Sequence, residues 1–438
     1  MNKIPGLQVY KFGGASVKDA AAILNLCRIV RDFGPRGPLM IVVSAMGKTT
    51  NALEEIYDLA STDHNFESKL QTLRTYHFNI SQELAGQQNQ DDIPASADYA
   101  SVIDAGLYSL RLQLADLRDA FNDYDQLYDQ VVSFGENISA GIVTAALANE
   151  MGLSEVVYVP ATTMLRTDHS WREGKVNWSE TEQLTQQVVS KALTAGARIL
   201  VTEGFIAATA DGRTTTLGRE GSDYTAAILA YCLRAESVTI WKDVAGLLNA
   251  DPKIFPNTVR YPEISYRETI EMAYYGASVI HPKTLKPLAD RNIPLRVKSF
   301  VDPAAEGTLI HDCQHPALAP AFIRKTDQCL LSFASKDFSF ISEENLAVIF
   351  AALAQAKLKI NVMQNSAISF SVCVDFSQRR VHQLLDLLRE QFLLHYNTGL
   401  LLFTIKNYTP ASIAQLTAGK RLLLEQRTRG TFQFVCAA

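Results

Sequence analysis

The sequence predicts an α/β protein. A three-layer αβα domain, with a parallel sheet covered by helices, is followed by smaller α+β units of ferredoxin-like topology. Short β-rich runs alternate with helical patterns through the first part of the 438-residue chain, which is typical of a parallel sheet with helical crossovers. Beyond a proline-containing stretch that ends at Pro320, the order becomes strand, helix, strand, strand, helix, strand. That order is a ferredoxin-like unit.

The first domain is predicted to cover residues 1–293. Residues 61–129 are polar and mostly helical in pattern, which indicates a helical insertion with an exposed tip near 87–97. Strands and helices alternate on both sides of this insertion. The predicted strands are 8–11, 39–44, 156–159, 197–202, 214–217 and 237–241, and the predicted helices are 17–33, 51–60, 180–193 and 223–233.

The C-terminal region is predicted to hold two ferredoxin-like units. The first covers residues 323–397, with strands at 329–333, 360–363, 368–374 and 393–396 and helices at 343–356 and 380–391. The tail alone is too short to complete a second unit. A strand predicted at 295–300 is therefore expected to supply the missing piece, so that the second unit comprises 294–312 plus 398–438.

Composition and charge restrict the function classes. The chain is 47% hydrophobic and 20% charged, with a net charge of −5, which gives no general attraction to nucleic acid or an anionic membrane. Its six cysteines include no C-x-x-C pair and indicate reduced thiols. No apolar run approaches the ~20 residues of a membrane span, and no signal-peptide core is recognisable. We therefore expect a cytoplasmic protein with neither a membrane nor a nucleic-acid partner.

A cationic residue followed by two glycines opens the chain, in residues 11–17, KFGGASV, directly after the first predicted strand. Gly13 and Gly14 allow a tight turn whose N–H groups approach an anion, and Lys11 adds a fixed positive charge. This pattern predicts a phosphate site. An ordinary strand-to-helix turn is the alternative.

A second turn follows the second predicted strand. Gly47, Lys48 and Thr49 suggest a P-loop, but that motif requires a glycine at position 42, where the chain has Val42. Hydroxyls such as those of Ser44 and Thr50 instead come to the carboxyl end of the sheet, where ligands bind in open α/β folds. These residues could also merely cap a helix.

Two later segments place charges among small and apolar residues. Glu136 lies within SFGENISA, and a buried glutamate suits a cationic ligand group such as an ammonium, although it could cap a helix. Arg219, Ser222 and Asp223 lie within LGREGSDYTAA at the start of a helix. An arginine with several N–H donors suits a small carboxylate, and a solvated turn with a helix cap is the alternative.

Two lysines flank a loop after the strand at 237–241. Lys242 and Asp243 follow that strand directly and Lys253 comes after the next turn, an arrangement that suits the β- and γ-phosphates of a nucleotide. The segment HDCQH at 311–315 lacks a second ligand pair at zinc spacing. We therefore expect no protein-held metal there.

With these residues assembled, the chain resembles aspartate kinase of the amino acid kinase superfamily over essentially its whole length. The segments that carry the resemblance are 11–17, 133–139, 217–223, 241–253 and 275–282, and residues after about 296 resemble a pair of ACT regulatory domains. The resemblance implies the carbamate kinase-like αβα fold for residues 1–293, ACT domain 1 at 323–397, and a split ACT domain 2.

The resemblance implies ATP-dependent phosphorylation of the side-chain carboxylate of L-aspartate to 4-phospho-L-aspartate, the first step of lysine, threonine and methionine biosynthesis. Residues implied for ATP are Lys11, Gly13, Gly14, Ser16, Ser44, Lys242, Asp243, Leu248, Lys253 and Ser278. Residues implied for aspartate are Thr50, Glu136, Arg219 and Ser222, and the implied catalytic pair is Lys11 and Asp223. Mg²⁺ is expected to bind mainly through the ATP phosphates.

The chain departs from the family pattern at several positions. Glu220 stands where the family usually has glycine, Leu248 replaces a frequent tyrosine, and Ser278 stands where many members have a lysine, a charge that Lys283 could restore. The ACT resemblance implies a homodimer joined through these domains and feedback by lysine or threonine. However, residues 343–346, EENL, replace a usual glycine at the effector stretch. The open alternatives are another enzyme of the superfamily, which acts on glutamate, acetylglutamate or a nucleoside monophosphate, and a non-catalytic amino-acid sensor.

Overall fold

The computed structural model describes residues 4–86, 99–116, 124–151, 154–277, 280–314, 318–337 and 339–437. The chain divides into two compact units. The first comprises Met1–Leu247, Pro262–Tyr266 and Ile280–Cys313, and the second comprises Leu248–Tyr261, Arg267–Val279 and Gln314–Ala438. Two short segments before residue 280 thus join the C-terminal region, whereas 1–293 was predicted as one domain.

An eight-stranded sheet forms the centre of the first unit. The strands of this unit are β1 (Gln8–Phe12), β2 (Leu39–Val43), β3 (Val156–Tyr158), β4 (Arg166–Thr167), β5 (Ile199–Glu203), β6 (Ile206–Thr209), β7 (Thr214–Thr216), β8 (Ser237–Lys242), β9 (Glu263–Ser265), β10 (Leu295–Ser299) and β11 (Thr308–His311). The spatial order is β3-β5-β2-β1-β8-β10-β11-β9, and β4, β6 and β7 form a separate small sheet. All neighbours from β3 to β10 are parallel, which confirms the predicted fold class.

Helices connect these strands. They are α1 (Ala20–Phe33), α2 (Thr49–Ser61), α3 (Glu67–Gly86), α4 (Tyr99–Asp116), α5 (Tyr124–Met151), α6 (Trp178–Thr194), α7 (Gly221–Leu233) and α9 (Pro282–Asp290), whereas α8 (Tyr266–Tyr274) belongs from Arg267 onward to the second unit. Side chains cap the starts of α1 and α6, where Asp19 accepts the N–H of Ala22 at 2.8 Å and Asn177 accepts that of Glu180. Residues of α1 and α5 pack into one core with β1, β2 and β5.

The predicted helical insertion at 61–129 consists of α3 and α4 in the described residues. Residues 124–129 belong instead to α5, because this helix continues without interruption to Met151. The expected exposed tip near 87–97 lies outside the described residues. By length and composition α5 could cross a membrane, but 78% of its apolar window is buried inside the protein, as expected for a core helix.

A six-stranded antiparallel sheet forms the C-terminal part of the second unit. Its elements are β12 (Ala321–Ser335), α10 (Glu343–Gln355), β13 (Ile360–Asn365), β14 (Ser369–Asp375), α11 (Gln378–Leu388), β15 (Phe392–Lys406), α12 (Pro410–Thr417), β16 (Leu422–Arg427) and β17 (Thr431–Ala437). The spatial order is β13-β14-β12-β15-β17-β16. The series β12 to β15 has the predicted βαββαβ order.

The second ferredoxin-like arrangement is completed by a different strand from the one predicted. Residues 321–325 of β12 pair with residues 402–406 of β15, and β17 and β16 continue the sheet. The strand predicted at 295–300 is β10, which lies between β8 and β11 in the first unit. This corrects the assignment of 294–312 to the second ferredoxin-like unit. Leu295 and Val297 pair with Val238 and Ile240 of β8 and are buried in the first unit.

Candidate active site

A cleft of about 570 Å³ opens where the carboxyl ends of β1, β2 and β8 meet the start of α7. This is the edge at which parallel sheets bind ligands. Nine of the residues predicted from the sequence line this one cleft, namely Lys11, Gly14, Ser44, Thr50, Glu136, Arg219, Ser222, Asp223 and Lys242. The structure therefore brings together groups that are separated by up to 231 positions in the chain.

Two lysines converge on one buried carboxylate. Nζ of Lys11 lies 2.6 Å from Oδ1 of Asp223, and Nζ of Lys242 lies 3.7 Å from Oδ2. Burial raises the pKa of Asp223, but the two ammonium groups outweigh burial and hold that pKa below its usual range. The result is a pair of cations fixed at the ends of β1 and β8.

The two glycine turns pack against each other. A Cβ on Gly14 would lie 2.7 Å from the carbonyl oxygen of Ala45 and 3.0 Å from that of Gly47, so only glycine allows this approach. The N–H of Gly47 donates to the carbonyl of Gly14 at 3.0 Å, and Gly47 has a φ of 55°, which favours glycine. The turns after β1 and β2 thus form one continuous wall.

Glu136 of α5 is a buried carboxyl at the floor of the cleft. Its Oε1 accepts the N–H of Ala45 at 3.4 Å, while Oε2 is buried without a hydrogen-bond partner. Burial raises its pKa to about 8, and the hydrogen bond from the N–H of Ala45 offsets part of that rise. An unpartnered buried carboxyl oxygen is a position that a cationic ligand group would satisfy.

The start of α7 carries the predicted arginine and serine. Ser222 and Asp223 lie in its first turn and are buried, and a Cβ on Gly204 would lie 2.4 Å from that of Ser222. Glycine at 204 therefore makes room for the serine. Arg219 precedes this turn and is exposed, so its guanidinium is accessible to a ligand.

Glu220 adopts the left-handed conformation, with a φ of 55°, where glycine is least strained. Its Oε2 accepts the N–H of His281 at 3.2 Å, which connects the starts of α7 and α9. Nζ of Lys283, which could restore the charge absent at position 278, donates to the carbonyl of Leu217 at 2.9 Å and lies 3.6 Å from Glu173. Ser278 lies outside the described residues, so this role of Lys283 stays a prediction.

Residues 6–299 match the model of the amino acid kinase family. The chain is 31% identical over 370 residues to lysine-sensitive aspartokinase 3 of Escherichia coli K12, a match that covers 84% of this chain and 78% of that protein. The chain belongs to the aspartokinase family. It also covers 40% to 48% of the length of bifunctional aspartokinase/homoserine dehydrogenases.

Two crystal structures of E. coli aspartokinase III are similar to this aspartokinase chain, both at 27% identity. The complex with aspartate and ADP, in the R-state, has a TM-score of 0.79 and covers 98% of this chain and 96% of that chain. The complex with lysine and aspartate, in the T-state, has a TM-score of 0.77 and covers 98% and 95%. These similarities confirm the resemblance inferred from the sequence motifs.

Some lining residues of this aspartokinase were not predicted from its sequence. They include Glu54, Tyr128, Arg172 and Thr216. Glu54 lies one helical turn after Thr50 on α2, a spacing that could have indicated it. Tyr128 and Arg172 carried no local signal. The first falls in the segment predicted as an insertion, and the second falls in a loop that only the fold brings to the cleft.

Several residues predicted for ATP are not part of the cleft lining in the described chain. Gly13 and Ser16 lie beside it, in and before the short 3-10 turn Gly14–Val17. Asp243 is exposed just after β8. Leu248 and Lys253 belong to the second unit, so their role in nucleotide binding stays a prediction.

Proposed function

We propose that this protein transfers the γ-phosphoryl group of ATP to the side-chain carboxylate of L-aspartate and produces 4-phospho-L-aspartate and ADP. The observation that carries the proposal is that one cleft holds two different kinds of group. One kind, around Lys11 and Lys242, suits phosphates, and the other, around Glu136 and Arg219, suits an amino acid. The complex of a relative with aspartate and ADP supports the same pairing of ligands.

The phosphate end consists of ammonium groups and backbone N–H groups. Lys11 and Lys242 are held by Asp223, so their charges are in place before a nucleotide binds. The Gly13-Gly14 turn would add N–H donors to the phosphoryl oxygens. Charge that develops on the transferred group is then neutralised without reorganisation of the site.

The amino-acid end has one group for each part of aspartate. Glu136 would bind the α-ammonium through its unpartnered Oε2, and Arg219 would bind the α-carboxylate. Hydroxyls of Thr50 and Ser222 would donate to the substrate and fix its orientation. Because burial raises the pKa of Glu136 to about 8, the carboxyl is mostly protonated at pH 7, and binding of the ammonium would displace that proton.

The chemical step needs no strong general base. The side-chain carboxylate of aspartate has an unperturbed pKa of ~3.9 and is ionised at neutral pH. One of its oxygens attacks the γ-phosphorus, the bond from that phosphorus to the β–γ bridging oxygen breaks, and ADP leaves with the electron pair. The protein contributes positioning and charge neutralisation.

Mg²⁺ is expected as the metal of this reaction. Both oxygens of Asp223 already face ammonium groups, and the described residues contain no group of three or more His, Cys, Asp or Glu side chains suited to hold a metal. These donors fit an ion held mainly by the phosphates of ATP. When bound, it would supply further neutralisation of phosphoryl charge.

The activity is tested by trapping the acyl phosphate. Purified protein with ATP, Mg²⁺, L-aspartate and hydroxylamine is expected to form aspartyl hydroxamate. The same assay with L-glutamate or N-acetylglutamate tests the other acceptors, which are expected to give much less product. Absence of hydroxamate from aspartate would contradict the proposal.

We also propose that the second unit regulates the enzyme, that it joins two copies into a homodimer, and that the protein is cytoplasmic. A relative is named as lysine-sensitive and has been crystallised with lysine, so lysine is the first effector to test and threonine the second. At the start of α10, Ser342 and Asn345 cap the helix reciprocally. These side chains already occupy N–H groups that a ligand could otherwise use.

Regulation and assembly have separate tests. Lysine and threonine are titrated into the hydroxamate assay, with inhibition by lysine as the expected result and inhibition by neither as the contradicting one. Light scattering of the full chain at several concentrations measures its mass. One copy has a mass of 48.4 kDa, so the homodimer predicts twice that mass and a monomer would contradict it.

A further inference from the structure

We infer that Arg172 is a second carboxylate-binding group of the cleft, which binds the α-carboxylate of the substrate together with Arg219. The inference rests on the proposed function, because it assigns a substrate contact within the same site. Arg172 lies in the loop between β4 and α6 and lines the cleft beside Glu54, Tyr128 and Thr216.

The guanidinium of Arg172 is held on two sides before any ligand binds. Its Cζ lies 3.8 Å from the centre of the Tyr128 ring and 5.4 Å from that of Tyr124, and its Nε lies 2.5 Å from Oδ1 of Asp125. Stacking on an aromatic face and pairing along one edge are typical of a fixed arginine. A pre-ordered side chain loses little entropy when it binds a carboxylate.

The backbone at Arg172 is strained in a way that the surroundings enforce. Its φ is 64°, a left-handed conformation that is unfavourable for a residue other than glycine. Both carboxylate oxygens of the fully buried Asp129 accept its N–H, at 3.1 and 2.9 Å. Asp129 also accepts the N–H and the hydroxyl of Thr216 at 2.9 and 2.8 Å. A strained arginine fixed at the wall of a cleft indicates a function for its side chain.

The charges of the amino-acid end favour a second cation there. Glu54, Glu136 and Glu220 all line the cleft, and each would repel the carboxylates of aspartate when ionised. At the phosphate end, Asp223 faces two lysines. Without Arg172, the amino-acid end would have Arg219 as its one arginine among the described lining residues. With Arg172 it has two guanidinium groups that can bind the α-carboxylate.

The test compares Arg172→Met with a matched control, Arg291→Met. Arg291 has the same kind of environment, since its Cζ lies 3.7 Å from the centre of the Tyr231 ring and its Nη2 lies 2.9 Å from Glu182, but it is not part of the cleft lining. Arg172→Met is expected to raise the KM for L-aspartate by about tenfold or more and to leave the KM for ATP within about twofold. Arg291→Met is expected to change neither KM.

Ligands that lack one group of aspartate distinguish a direct contact of Arg172 with the substrate from a role of Arg172 in supporting the loop between β4 and α6. Succinate keeps both carboxylates, and β-alanine keeps the ammonium and one carboxylate. As competitive inhibitors, succinate should weaken by about tenfold in Arg172→Met and β-alanine should not change. Arg172→Lys should fall between the wild-type protein and Arg172→Met, because an ammonium keeps the charge but lacks the planar fork.

Equal weakening of both inhibitors would show that the cleft is merely distorted and would overturn the inference, as would an unchanged KM for aspartate. Failure of the proposed function is distinguishable. If the wild-type protein forms no aspartyl hydroxamate, calorimetric binding of succinate to wild-type and Arg172→Met protein still decides the role of Arg172, since equal affinities would overturn it.

Discussion

Nζ of Lys11 and Oδ1 of Asp223 lie 2.6 Å apart, in a pair whose side chains are only 10% and 5% exposed. The pair connects the end of β1 to the first turn of α7, so it fixes both walls of the phosphate end at once. This contact holds the side chain of Lys11 at the phosphate end of the cleft. If Lys11 is removed, the ion pair of Asp223 with Lys242 remains, with Nζ of Lys242 3.7 Å from Oδ2.

Lys11→Ala is expected to lower kcat by about a hundredfold or more, because a preorganised cation at the transferred phosphoryl group is lost. The KM for aspartate should change by less than about threefold. Steady-state kinetics in the hydroxamate assay measure both values. Lys191→Ala, at an exposed lysine of α6, is the control, and a near-normal kcat in Lys11→Ala would refute the phosphate role.

Arg219→Ala is expected to raise the KM for aspartate by about tenfold to a hundredfold and to leave the KM for ATP nearly unchanged. The reason is that a charge-assisted hydrogen bond to a carboxylate contributes roughly 1.5–3 kcal/mol. Arg28→Ala, at an exposed arginine of α1, serves as the control. Equal effects on both substrates would argue against a specific carboxylate contact.

Glu136 predicts a pH dependence of aspartate binding. Its pKa is raised to about 8, and only the ionised form pairs with an ammonium, so affinity for aspartate should increase as pH rises from 6.5 toward 8. At pH 7, binding should release close to one proton. Calorimetry in two buffers with different ionisation enthalpies measures this release. Glu136→Gln should abolish it, and an unchanged release in that variant would contradict the assignment.

The raised pKa of the Glu136 carboxyl also makes the stability of the folded protein depend on pH. In the unfolded chain its pKa is near 4.5, and in the folded protein it is about 8. The folded state therefore binds more protons between these values, and the contribution of Glu136 to stability falls as pH rises through this window. Glu136→Gln should melt at a higher temperature than the wild-type protein at pH 8, and the difference should shrink toward pH 5. Scanning calorimetry at both pH values checks this.

Two substitutions at Glu220 separate the effect of backbone strain from the effect of the negative charge. Glu220→Gly should relieve the left-handed backbone, by about 1 kcal/mol, and this gain is partly offset by loss of the hydrogen bond from His281. Glu220→Gln keeps the strain and that acceptor but removes the negative charge. We expect both variants to lower the KM for aspartate, because like-charge repulsion is removed, and only the glycine variant to gain stability. Melting temperatures and kinetics test the two effects separately.

Motifs adjacent to strand ends predicted much of the cleft. Lys11, Glu136 and Arg219 each lie in a short segment whose glycines and charges are unusual on their own, so the sequence pointed to them directly. Arg172 could not be found in this way. Its position depends on the buried contact between Asp129 of α5 and the loop after β4, which joins segments far apart in the chain.

The strands also differ in how far the sequence predicts their place in the fold. Central strands such as β2 are continuous apolar runs, which are typical of a parallel sheet buried on both faces. β10 alternates buried and exposed residues, and that pattern fits either sheet. A short alternating strand does not specify its partner, because pairing is decided by long-range packing. The sequence therefore predicted the existence of this strand but not its sheet.

β12 and β15 are continuous strands of 15 residues each, and both ferredoxin-like arrangements use them. Each arrangement contains one half of β12 and one half of β15. The register of their pairing shifts between Lys325 and Leu330, where the halves meet. Because the backbone of β12 and of β15 is continuous, a displacement along either strand passes from one arrangement to the other through covalent bonds. Because both strands run through both arrangements, we expect the two arrangements to unfold together.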